Sequence, residues 1–218
     1  MVGSKHAFWQ ALIFTIIVFS MGLIIGFFIE NNRQASVELN VLNSEISLLD
    51  EQIKSRDVEI FNLDCAQSKK NILQFADKIY DEALLMEEYD GSSKFSGTLK
   101  IIHKRYDLLR ALLWIEGIQF KEKCGDEFHT VVYIFEYSPE ETMTKAEQAA
   151  TGRLLRDLKE KNGDKILLIP LAGNLNISSI DIVMQKNKIQ KLPAIIIDEK
   201  HVIDHLPTME ELESLIFE

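Results

Sequence analysis

"TVVYIFEYSPEETMTKAEQ", Thr130 to Gln148, is the stretch on which the fold turns. Its first eight residues, through Tyr137, are rich in β-branched and aromatic side chains and read as a strand. Ser138-Pro139 breaks that run. A polar segment follows, in which Ala146, Ala150, Leu154, Leu155 and Leu158 recur on the inward side of a helix that Gly163 ends. A strand that turns directly into a helix is where several α/β folds keep their chemistry. This corner holds no cysteine, no histidine and no glycine-rich loop, so it is an active site, a lapsed one or a plain corner.

Working outward toward the C-terminus, "KILLIPLAG" reads as a second strand and "NISSIDIVMQKNKI" as a helix with Asn176 at its N-cap. "LPAIIID" and "HVIDHL" are two more strands, joined by Asp198-Glu199-Lys200. "PTMEELESLI" closes the chain as a helix, with Pro207 at its start and Thr208 capping toward Glu211. The order is β-α-β-α-β-β-α. A helical crossover makes the first two strands parallel, and the last two form a hairpin. Runs as apolar as "ILLIPL" and "AIII" need cover on both faces of a sheet. The fold class expected is a mixed α+β or α/β arrangement.

Toward the N-terminus, "AFWQALIFTIIVFSMGLIIGFFI" runs from Ala7 to Ile29 without a charge, with Gln10, Thr15 and Ser20 its clearly polar members. That is long enough to cross a hydrocarbon core about 30 Å thick as a helix. A cleaved signal peptide has a shorter apolar region and a small-residue cleavage site; here Phe27, Phe28 and Ile29 run straight into Glu30. An uncleaved anchor over 7–29 is therefore expected, in contact with the lipid bilayer. Lys5 and the α-amine precede it without an acid, whereas Arg33 is offset by Glu30 and Glu38. The positive-inside rule then leaves residues 1–6 as a cytoplasmic tail and the bulk of the chain extracytoplasmic. Gly22 and Gly26 form a small-xxx-small pair that lets spanning helices approach. The net charge of −10, with no basic stripe, argues against nucleic acid as a partner.

Between anchor and sheet, residues 34–124 read as a helical stalk. Leu39, Leu42, Ile46, Leu49, Ile53, Ile60 and Leu63 keep a heptad seam, the signature of a coiled coil or a long helical hairpin and a second route to a homodimer. Ile72, Phe75, Ala76, Ile79, Ala83 and Leu84 make a broader helical face. The glycine- and serine-rich "YDGSSKFSG" breaks it, and Leu99, Ile102, Tyr106, Leu109, Leu113 and Ile118 share one side of a second helix that Gly125 caps. The chain's two cysteines, Cys65 and Cys124, lie equidistant from that break. Folded back there, an antiparallel hairpin sets them side by side. Two free buried thiols would fit the same positions; the symmetry favours a disulfide, which persists outside a reducing cytosol. Two cysteines without nearby histidines do not complete a zinc shell, and no metal or cofactor is expected.

The strand and helix order, with a proline opening the strand before the hairpin, resembles the thioredoxin fold over residues 129–218. "VVYIFEYS", "KILLIPL", "IQKLPAIIID" and "PTMEELESLI" carry the resemblance. The layout of one anchor, a hairpin with a cysteine in each arm and a thioredoxin-like domain is similar to that of a group of archaeal single-pass membrane proteins. The resemblance implies that Pro193 is cis and faces the first helix of the domain. It also places the family's Cys-x-x-Cys near Thr142 and Lys145, where no thiol exists, so the corner is degenerate and not an enzyme site. It further implies a groove for an extended peptide or protein, lined by Leu192, Pro193 and Ala194 with Tyr137 and Met143 as apolar contacts. A membrane-anchored, non-catalytic binding or scaffold module is thus expected. The alternatives are a tethered thiol–disulfide oxidoreductase using Cys65 and Cys124, and an architectural coiled-coil spacer.

Overall fold

The computed structural model describes residues 8–29, 46, 50, 64–90 and 96–217. The chain divides into two compact units, Met1–Asp50 and Glu51–Glu218. In the first, helix α1, Phe8–Ile29, is long and apolar enough to cross a membrane or to act as a signal sequence. Its side chains are exposed along its length. The Thr15 hydroxyl donates to the Ala11 carbonyl at 2.9 Å, so this polar group is satisfied within the helix. Nothing lies within 4 Å of a Cβ built on Gly22 or Gly26. The heptad positions from Leu39 to Leu63 lie outside the described residues except Ile46, which is exposed.

The second unit contains α2 (Cys65–Asp90), α3 (Ser96–Cys124), β1 (His129–Phe135), α4 (Thr142–Asn162), β2 (Ile166–Ala172), α5 (Ser178–Lys186), β3 (Ala194–Ile197), β4 (His201–Ile203) and α6 (Met209–Phe217). Four strands form one mixed sheet in the order β2-β1-β3-β4. β1 runs parallel to β2, with His129 opposite Ile166, and antiparallel to β3, with Ile134 opposite Ala194; β3 and β4 are antiparallel. Pro170 falls within β2, and it is tolerated there because β2 is an edge strand.

β1 is buried on both faces. Val131 and Tyr133 join Ile195, Ile197 and Ile203 in a core with Leu155 and Leu158 of α4 and Leu212 and Ile216 of α6. Val132 and Ile134 point to the opposite face by the two-residue period of a strand, and α3 packs against β1 and β2. Gly117 permits that approach: a Cβ there would sit 3.1 Å from Leu167 and 3.4 Å from Thr130. α3 also packs on α2, where Ile72, Phe75 and Ile79 are buried. Asp64 caps α2 by accepting the Gln67 amide at 2.7 Å. Cys65, the first residue of α2, is disulfide-bonded to Cys124, the last of α3, with a Cα separation of 5.7 Å. The residues that link the two helices, 91–95, lie outside the described ones. The boundary expected between 124 and 129 thus falls inside a single compact unit.

The side of α3 turned to the sheet is polar. His103, Asp107, Arg110, Trp114, Gly117 and Lys121 recur at three- and four-residue intervals. Asp107, Trp114 and Gly117 are buried and His103, Arg110 and Lys121 half-buried. Lys121, with a side chain 9% exposed, donates to Thr130 Oγ1 at 2.8 Å, Asp198 Oδ1 at 2.9 Å and Glu199 Oε2 at 2.8 Å. Trp114 Nε1 donates to Glu199 Oε1 at 2.6 Å. Asp198 also accepts the Thr130 amide at 2.9 Å and lies 2.7 Å from His129 Nδ1. Burial pushes the Asp198 carboxyl up, but the bonds from His129, Lys121 and the Thr130 amide outweigh it and hold it below its usual range.

These contacts fix a strained turn. Asp198 and Glu199, the middle residues of the β3–β4 hairpin, have φ of 46° and 58°, and Lys200 N donates to Ile197 O at 3.0 Å. That is the primed geometry hairpins prefer, here built without glycine, at about 1–2 kcal/mol per residue in the left-handed region. α3 supplies the offsetting cation. Lys121→Met leaves two partly buried carboxylates without their ammonium and is expected to cost about 2–4 kcal/mol. Chemical denaturation of the detergent-solubilised chain checks this, and Glu199→Gln in the Lys121→Met background is expected to recover part of the loss.

Candidate functional site

β1 ends at Phe135, and the chain reaches α4 at Thr142 through Glu136–Glu141. Backbone groups that leave a sheet need new partners. Two amide side chains supply them. Gln148 Oε1 accepts the Glu136 amide at 2.8 Å while its Nε2 donates to the Glu136 carbonyl at 3.0 Å. Asn174, in the loop after β2, does the same for Tyr137, at 2.7 and 3.0 Å. The Tyr133 hydroxyl donates to the Gln148 carbonyl at 3.2 Å, tying α4 back to β1. Ser138 then takes φ 51°, which turns the chain. The corner is therefore built as a fixed feature.

The expected site residues separate by exposure. Thr142 and Lys145 are exposed in the first turn of α4, and Met143 between them is 77% exposed. Tyr137 is half-buried, its ring 4.5 Å from that of His103. The Leu192–Pro193 peptide bond is cis. Leu192 is half-buried, and a Cβ on Gly173 would fall 2.9 Å from its Cδ1. Pro193 and Ala194 are buried, Ala194 paired with Ile134 in the sheet. Lys191 reaches Glu147 at 3.5 Å across the exposed rim, joining the segment before β3 to α4. Two local expectations are corrected. Ala146 is exposed, because the inward face of α4 runs through Thr151, Leu155 and Leu158. Asn176 is not the cap of α5: the helix starts at Ser178 with Ile177 at the N-cap and no side-chain cap bond.

Behind the corner lies a buried acid that apolar spacing did not single out. The Asp107 side chain is 3% exposed; Oδ2 accepts the amide of Ala172, the last residue of β2, at 3.2 Å, and Oδ1 lies 3.3 Å from Arg110 NH1. The adjoining Gly173 amide donates to Phe135 O at 2.8 Å, which places this pair where β1 and β2 both run out. Burial pushes the Asp107 carboxyl up to about 6, opposed by the Arg110 cation and by the Ala172 amide; burial likewise lowers Arg110.

Thiol chemistry has no footing at the corner. Cys124 lies five residues before β1, and the corner follows the strand's far end. Seven residues of strand at about 3.3 Å each separate them by roughly 20 Å. The disulfide and the corner are thus different places on the molecule. Among the described residues, no group of three or more histidine, cysteine or acidic side chains could hold a metal ion.

Asp107 gives a pH signature. Its folded carboxyl titrates near 6 and its unfolded one near 3.8, so between these values the folded state keeps a proton that the unfolded state has released. This contribution to stability is full below about pH 4 and is lost as pH rises through 6, by up to about 3 kcal/mol. Asp198 changes stability in the opposite sense, so the comparison is made between variants. Relative to the native chain, Asp107→Asn is expected to gain stability between pH 4 and pH 7, as read from denaturation midpoints.

No family model matches the chain, and no curated protein matches it. Comparison with solved structures gives a chain described as "Structure of a malarial protein", 18% identical, with a TM-score of 0.32, covering 40% of this chain and 92% of that one.

Proposed function

We propose that the protein is a single-pass membrane protein that presents a non-catalytic, thioredoxin-like binding module outside the cytoplasm, on a helical hairpin closed by Cys65–Cys124. The observation that carries the proposal is the corner. Four side-chain hydrogen bonds preserve its backbone, while the positions where redox chemistry would need thiols hold Thr142 and Lys145. A fixed corner without a thiol suits recognition rather than thiol–disulfide exchange. The apolar α1 supports the anchor, and the cysteine bridge supports a compartment that does not reduce it. The order β2-β1-β3-β4, with β1 parallel to β2 and antiparallel to β3, supports the thioredoxin-like reading. Contact between α2 and α3, and the bridge from the start of one to the end of the other, support the hairpin.

The ligand proposed is an extended peptide or unfolded chain that pairs with backbone near Pro193 and packs on Met143 and Tyr137. Met143→Glu alters an exposed side chain and leaves the core untouched. It is expected to weaken binding of extended apolar peptides about tenfold, a change of roughly 1.4 kcal/mol, measured by fluorescence anisotropy. No peptide binding by the native chain, or equal binding by the variant, sinks the groove.

The oxidoreductase alternative is tested at the other end of β1. A structural bridge resists the glutathione pool, whereas a catalytic one is labile. Cys65–Cys124 is expected to remain oxidised under glutathione, as followed by alkylation and mass spectrometry. Replacing both cysteines by serine is expected to cost about 2–4 kcal/mol, because the bridge closes a long loop. Ready reduction with retained fold favours the enzyme reading.

A further inference from the structure

We propose that Asn176 is a site of N-linked glycosylation. Asn176-Ile177-Ser178 is the chain's sole Asn-x-Ser/Thr triplet with a non-proline middle residue. Its placement is what such a site requires. It lies on the loop between β2 and α5. Leu175 and Ile177 on either side are 1% and 8% exposed and anchor the loop inward, while Asn176 and Ser178 are both exposed. The loop is thus pinned by its apolar residues and turns its asparagine outward, so a bulky attached chain meets solvent and displaces no packing.

The structural roles open to this triplet do not account for it. Asn176 has φ 55°, which asparagine tolerates better than most residues. That accounts for the asparagine and not for the serine two positions on. A helix cap would account for a polar pair, but the N-cap of α5 is Ile177, without a side-chain cap bond. Among the described residues, neither side chain makes a hydrogen bond. Both are left available to a modifying enzyme.

The donor class is a lipid-linked oligosaccharide, and the catalyst is a membrane oligosaccharyltransferase. The Asn176 carboxamide nitrogen attacks the anomeric carbon of the sugar. An N–C bond forms as the C–O bond to the lipid phosphate breaks, the lipid-linked phosphate leaves with the electron pair, and one amide proton passes to a base of the transferase. No oxidation or reduction occurs. The transferase reads the Ser178 hydroxyl as part of the triplet.

The inference rests on the extracytoplasmic placement proposed above, and the test separates the two. The full-length chain is expressed in a host that glycosylates Asn-x-Ser/Thr, and membrane-fraction glycopeptides are mapped by mass spectrometry with and without peptide-N-glycosidase. A glycan on the peptide containing Asn176 is expected. It should be lost in Asn176→Gln and in Ser178→Ala, and retained in Ser178→Thr, with Cys65–Cys124 oxidised in each as evidence of folding. Glu140→Asn, made in the Asn176→Gln background, places a new triplet with Thr142 in the exposed corner. Modification at 140 in that variant, with none at Asn176 in the native chain, overturns the inference and leaves the topology standing. Modification at neither overturns both.

Discussion

Helix α3 is buried on two sides of different chemistry. On one it buries the apolar Tyr106, Leu109, Leu113 and Phe120, the last stacked on Phe128 with ring centroids 5.2 Å apart. Toward the sheet it presents a cation, an ion pair and an indole, groups whose burial is costly unless each finds a partner. The partners are specific: the β3–β4 turn for Lys121 and Trp114, and the end of β2 for Asp107. Hydrophobic contact alone would let a helix slide over a sheet. Fixed polar contacts at two places along α3 set its position along β1 and β2, and through it the position of everything packed on α3.

The two ends of the sheet are thereby given different characters. At one end, Lys121, Asp198, Glu199, His129 and Thr130 form a closed network beside a strained turn. At the other, Gln148 and Asn174 hold a corner with exposed residues on its rim. Strain at the first is held by partners that satisfy one another, which is the mark of a structural lock. At the second, main-chain groups are tied down while Met143, Thr142 and Lys145 remain turned to solvent.

Much of this was legible in the sequence where one physical signal dominates. β1, β2 and β3 announce themselves by β-branched density, because a strand covered on both faces needs no polar alternation. Thr208 capped α6 as its spacing foretold, accepting the Glu211 amide at 3.2 Å. Gly125 ended α3 as expected, its amide donating to the Lys121 carbonyl at 2.9 Å. The cysteine pair was readable from symmetry about the glycine-serine break. The second face of α3 was not readable, because its residues are those that normally mark a solvated surface; only the partners in the β3–β4 turn and at Ala172 reveal why they are inside. Gln148 and Asn174 were equally silent. An amide that reads a backbone from 12 or 37 residues away leaves no periodicity.

The edges of the sheet carry one more consequence. On the membrane-anchored reading, copies of the chain share a plane and meet far more often than they would in solution, so an open strand edge invites them to zip together. β2 closes its edge with Pro170, which has no amide to donate, and β4 is only three residues long, with too few ladder bonds to offer. Crowding on a surface can then raise the frequency of encounters without turning them into fibrils.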